Sequence, residues 1–237
     1  MMIWIIIGIV VIFLILALAI ASYSGSQLQE VYNKYLNEYC SSNLTGGELA
    51  LLFSNSLTNG QIKIARTAGV MTDAYSSKSK TVVISEKTCD DHSVSSLAIV
   101  AHEFGHALQH LNDTNQFKLN IALIRWTKRL GYFMFPLAVS GIFIALVFPN
   151  LFYLGIILLA LSAFILLLAI FLKLIAIPLE KDASKRGIKI LKDMKIMNDY
   201  ELKMAQELLN SALLTYVGDF ISAILWWTFL TKKTKYF

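Results

Sequence analysis

The chain has 237 residues, enough for one large domain or for a small soluble domain plus membrane helices. It is 56% hydrophobic and only 16% charged, with a mean hydropathy of +0.60, whereas soluble domains average about 25% charged residues, so composition favours the second arrangement. The net charge of +5 does not indicate nucleic acid, because Arg125, Lys128, Arg129, Lys173, Lys181, Lys185 and Arg186 all flank apolar runs and no basic–aromatic interleaving occurs.

Ile3–Ala21 carries no charge over 19 residues, close to the roughly 20 that a helix needs to cross a hydrocarbon core. No Lys or Arg precedes it, and it exceeds the roughly 7–15 residues of a signal-peptide core, so it reads as a retained anchor. In "SQLQEVYNKYLNEY", Leu28, Val31, Tyr32, Tyr35, Leu36 and Tyr39 recur at helical spacing and predict an amphipathic helix. "LTGGELALLFSNSLTNG" opens a short helix, with Thr45 and Glu48 at capping-box spacing. "QIKIAR" and "KTVVIS" predict two short strands, the second with a free edge, separated by the turn-rich "AGVMTDAYSSKS". Cys40 and Cys89 lie far apart and form neither a C-x-x-C pair nor a disulfide framework.

Ser93–Leu111 is the chemically distinctive segment. Leu97, Ala101, Phe104, Leu108 and Leu111 form an apolar stripe, leaving His102, Glu103, His106, His110 and Asp113 on the other face of a helix of about five turns. His102-Glu103-Phe104-Gly105-His106 is an H-E-x-x-H motif: residues four apart on a helix project the same way, so both imidazoles can reach one zinc while Glu103 stands beside them. Gly105 costs the helix about 1 kcal/mol relative to Ala and predicts the close approach of another element. His110 has drifted round the helix and reads as a pocket-wall or surface histidine rather than a ligand, and His92 as a loop residue.

Two further uncharged runs follow, Leu130–Phe148 and Leu151–Leu172, joined at Pro149-Asn150; a third, Leu213–Leu230, carries one acid, Asp219. A catalytic zinc needs a third protein ligand. Gln109 and Asn112 stand where a metzincin has Gly and His, which excludes that class. A downstream carboxylate remains, from Glu180, Asp182, Asp193, Asp199, Glu201, Glu207 or Asp219. Two crossings between His106 and Glu180 return the chain to the side it left, which singles out Glu180 and Asp182, and spacing leaves both open.

The segments "LTGGELA", "TDAYSSKSKTVVIS", "AHEFGHALQH", "PLEKDAS" and "LNSALLTYV" occur in order over most of the chain. Through them the sequence resembles the YugP-type neutral zinc metallopeptidases, a bacterial membrane family more distantly related to the HtpX and CaaX-prenyl proteases. The resemblance implies one Zn2+ per chain, with His102, His106 and Glu180 as ligands and Glu103 as general base. The wider clan has an acid where this chain has Ser184, so the resemblance leaves support of the ligands to Asp182 or Asp113.

The expected architecture is a mainly α integral membrane protein with three to four transmembrane helices and a zincin-like α+β catalytic region. Its parts are an anchor (1–22), the catalytic region (23–129), a transmembrane hairpin (130–177), a helix bearing the third ligand (178–212) and a fourth membrane segment, spanning or re-entrant, with a basic tail (213–237). The expected activity is zinc-dependent endopeptidase hydrolysis by a metal-activated water, on a peptide or membrane-protein substrate docked on the edge of "KTVVIS", with Tyr216 as a candidate oxyanion donor. A zinc-binding assembly or quality-control factor without proteolysis is the alternative. Lys and Arg at the span ends place the active site on the cytoplasmic face of the cell membrane, although the tail "KKTKYF" disagrees with four full crossings.

Overall fold

The computed structural model describes residues 23, 25–112 and 115–222. Its elements, in chain order, are α1 (25–36), α2 (Gly46–Thr58), β1 (Lys63–Thr67), β2 (Ala74–Ser76), β3 (Thr81–Ser85), α3 (Glu86–Asp90), α4 (Val94–Leu111), α5 (Asn115–Val147), α6 (Phe152–Asp193) and α7 (Asp199–Ser222). The protein is therefore mostly helical with one small mixed sheet. Two compact units are distinguished: one contains Leu119–Ile177, and the other contains the residues from 24 to Lys118 together with Pro178–Thr215.

In the first unit, Arg129–Val147 and the helix starting at Pro149 are long and apolar enough to cross a membrane. Phe143, Leu146, Tyr153, Phe164 and Phe171 point outward, as lipid-facing side chains do. The Ser162 hydroxyl donates to the Met134 carbonyl at 3.0 Å and ties the two helices together. The expected anchor Ile3–Ala21 lies outside the described residues, as does the end of the Leu213–Leu230 run, whose first part closes α7.

The second unit is built round α4. Phe104 meets Phe53 of α2 edge-on at 5.4 Å, and Leu49, Ile62, Val82, Ile84, Leu97 and Val100 fill the same core. In α2 the expected capping box forms in full between Thr45 and Glu48. Helix α1 buries Tyr32 and Tyr35 as its periodicity requires, but it stops at residue 36. Tyr39 instead bridges Ser93 through its backbone and stacks its ring on His92.

The sheet corrects the expectation of two strands. It has three, in the order β1-β3-β2, with β3 parallel to β1 and antiparallel to β2. "KTVVIS" is thus the centre of the sheet, and its edge is not available to a substrate. Val82 and Ile84 explain the placement, because they alternate into the core beneath the helices. Strand β2 was hidden in the turn-rich stretch because three residues are too few to show a period. Asp73 holds it in place by accepting hydrogen bonds from the Ser85 amide (2.8 Å) and from the Ser85 and Thr88 hydroxyls.

Helix α4 also departs from the expected one-sided burial. Ser95, Ser96, Gly105 and Gln109 are buried along with its apolar residues. The C-terminal part of α6 covers the face expected to be wet. A Cβ on Gly105 would stand 2.2 Å from the Ala183 carbonyl oxygen, and one on Gly187 would stand 2.7 Å from that of Ala101. Ala101 and Gly105 on α4, and Ala183 and Gly187 on α6, each lie one turn apart, so the two backbones meet with no side chain between them. The expected single helix over 178–212 is also divided: α6 ends at Asp193, and Asn198 starts α7 by accepting from the amides of Tyr200 and Glu201.

Candidate metal centre

The close contact of α4 and α6 brings three residues together. His102 and His106 project from adjacent turns of α4, and Glu180 lies one turn before Ala183 on α6. Glu180 Oε2 is 3.5 Å from His102 Nε2 and 3.2 Å from His106 Nε2, and one ligand atom from each residue falls within 4.8 Å of the others. Two ligand atoms about 2.0–2.1 Å from a tetrahedral zinc stand about 3.3 Å apart, close to the two Glu180–histidine separations. Glu180 is 4% exposed, and a carboxylate buried to this degree requires a cation or strong donors. Among the described residues this is the only group of three metal-ligating side chains, and no fourth protein ligand closes it.

The electrostatics are those of a cation site. Burial by itself pushes the His106 imidazole down, but the hydrogen bond and charge of Glu180 outweigh it and take the group to about 9. Glu180 therefore favours a positive charge at His106. Burial pushes the Glu103 carboxyl up, partly offset by the two imidazoles. Glu103 is half-buried and makes no hydrogen bond among the described residues.

Each imidazole is held from behind. His102 Nδ1 lies 3.1 Å from the Ser184 hydroxyl, so Ser184 fills in person the place where the wider clan has an acid. His106 Nδ1 lies 3.1 Å from Gln109 Oε1. Gln109 Nε2 donates to the Leu179 carbonyl at 3.0 Å and to Asp182 Oδ2 at 2.7 Å, and Arg186 Nε donates to the same oxygen at 2.6 Å. Asp182 is thus not in the cluster and instead accepts from Gln109 and Arg186. Gln109 is the residue that sequence reading missed. Its signal was a polar side chain one turn after His106, on a helix whose surroundings were taken to be water.

His110 stands apart from the cluster: its Nδ1 is 2.6 Å from the Tyr75 hydroxyl, and its ring stacks on Phe117. It ties α4 to β2, and burial of Tyr75 pushes that hydroxyl up to about 12. Asp113 and the side chains of Tyr216 and Asp219 lie outside the described residues.

A helix bearing H-E-x-x-H and a carboxylate from a second helix together form a group that could hold a metal ion. Residues 10–231 match the family described as "Putative neutral zinc metallopeptidase", and the chain belongs to that family. It is similar to a Bacillus subtilis (strain 168) protein described as "Putative membrane protease YugP", at 29% identity over 209 residues, covering 86% of this chain and 87% of the relative. No solved structure matches.

Proposed function

We propose that this protein is a membrane-bound zinc endopeptidase of the H-E-x-x-H plus Glu type, cutting peptide or membrane-protein substrates at the cytoplasmic face of the cell membrane. The observation that carries the reading is the convergence of His102 Nε2, His106 Nε2 and a Glu180 oxygen within 4.8 Å, with Glu103 next in sequence to a ligand. Membership of a zinc metallopeptidase family supports it.

His102, His106 and Glu180 would hold the zinc. When bound, the ion supplies Lewis acidity, which acidifies a water and polarises a carbonyl. Glu103 takes the proton from the attacking water and delivers it to the leaving amine. Ser184 and Gln109 keep the imidazoles oriented, and the deep burial of Glu180 keeps its carboxylate from wandering into solvent. With β3 enclosed, the outer edge of β2 is the strand that an extended substrate would meet beside α4, giving main-chain hydrogen bonds independent of side-chain sequence. Tyr216 remains the candidate oxyanion donor. The chain spans the bilayer three or four times, counting the anchor and the Leu213–Leu230 run.

The test uses the full-length protein in detergent with unfolded casein, with and without a chelator. Cleavage should depend on zinc, and Glu103→Gln should keep its zinc while losing activity by about 10²–10⁴-fold. Wild-type turnover in Glu103→Gln would remove the general base from the scheme. A zinc-loaded protein that never cleaves would favour the assembly-factor alternative.

A further inference from the structure

The polarity of one buried amide decides which nitrogen of His106 faces the metal centre. Gln109 is fully buried, and its amide lies within hydrogen-bond distance of the Leu179 carbonyl, Asp182 Oδ2 and His106 Nδ1. The first two only accept hydrogen bonds, since Arg186 donates to the same Asp182 oxygen and keeps it a carboxylate. The amide nitrogen must therefore face them, with both of its hydrogens used. This leaves only the amide oxygen for His106, so Nδ1 must carry a hydrogen and donate it. With Nδ1 so occupied, Nε2, the atom 3.2 Å from Glu180 Oε2, is the nitrogen left to exchange its proton for a metal ion.

We propose that Gln109 is a positioning residue that fixes His106 in the tautomer able to ligate through Nε2, and that also holds the turn of α6 carrying Glu180. The inference rests on the zinc reading. Only an amide meets the requirement: Glu cannot donate to Leu179 and Asp182, and an apolar residue cannot select a tautomer. His102 is held differently, because the Ser184 hydroxyl can rotate to donate or accept and so serves either tautomer. Gln109 thus links a ligand on α4 to the helix that delivers the third ligand, through one side chain with hydrogen bonds to both.

The test uses the full-length chain in detergent. With 15N-labelled histidine there are four imidazoles to assign. In the zinc-loaded protein, His106 should show a protonated Nδ1 and a zinc-shifted Nε2. Gln109→Met, which keeps the length but neither hydrogen-bonding function, should bind Zn2+ about 10–100-fold more weakly in competition with a chromophoric chelator. The visible spectrum of its Co2+ form should also change. A His106 protonated on Nε2 in the wild-type protein overturns the inference even where the variant does not fold, as does a folded Gln109→Met with wild-type Zn2+ affinity. If wild-type protein takes up no Zn2+, the metal reading falls and this inference with it. Zinc binding that Gln109→Met leaves untouched removes this inference alone.

Discussion

One helix, α6, follows two different rules along its length. Between Phe152 and Ile177 its large residues point outward, with Leu167 61% exposed and Phe171 59% exposed. Between Leu179 and Leu191 the pattern reverses: Leu179, Glu180, Ala183, Ser184 and Leu191 are buried, and of these Ser184 is polar and Glu180 charged. The helix continues through Pro178, which lies within it. What changes is the surroundings. The first half is selected for length and hydropathy, which any combination of Leu, Ile and Phe satisfies, whereas the second half is selected for what each individual residue touches.

The sharpest test of that contrast is Glu180→Gln, which removes the only charge the second half gives to the centre. Zinc measured by elemental analysis should be lost on dialysis, while Asp182→Asn, which still offers Gln109 an acceptor, should retain it. Loss from Asp182→Asn alone would mean that the wrong carboxylate has been assigned. Next in size, Leu191→Ala should cost about 2–5 kcal/mol in chemical unfolding, since a fully buried leucine leaves a cavity. Leu167→Ala in the first half should stay within about 0.5 kcal/mol in detergent. Equal costs would erase the distinction between the halves.

Gly105→Ala tests the contact itself. The helix gains about 1 kcal/mol of propensity, but the new Cβ meets the backbone oxygen of Ala183, so a net loss of about 1–3 kcal/mol is expected, accompanied by weaker zinc retention. A stabilised variant would show that the two helices have room to spare. The smallest effect belongs to Glu207, on the surface of α7. Its carboxyl is held below the ordinary range, first by the Tyr35 hydroxyl and then by Lys34. A depressed carboxyl stabilises the fold above its unfolded pKa of about 4.3, and that contribution disappears as pH falls through the folded value. The difference in unfolding midpoint between wild type and Glu207→Gln should therefore shrink as pH drops from about 6 to about 3, and a difference that stays constant over this window would assign it to something other than charge.

Local pattern made some features legible and left others hidden. The capping box at Thr45 and Glu48, the helix carrying His102 and His106, the apolar runs and the need for a close neighbour at Gly105 all depend on residues within a turn or two of one another. The central position of β3, the existence of β2 and the burial of the polar face of α4 could not be read, because each depends on a partner remote in the chain. Gln109 shows the reason most clearly. Next to His106 in sequence it looks like a solvated side chain, and only Leu179 and Asp182, some seventy positions later, turn it into a buried link.

The sequence by itself determined that two imidazoles can meet one metal ion, since residues four apart on a helix project the same way wherever that helix is placed, and it determined that long stretches suit a membrane, since hydropathy is a sum over local residues. The tertiary structure alone decided that Glu180 rather than Asp182 lies beside His102 and His106, and which groups stand behind each histidine. These outcomes rest on the register between α4 and α6, which is set by the fit of Ala101 and Gly105 against Ala183 and Gly187, and contact between distant segments leaves no periodic trace along the chain.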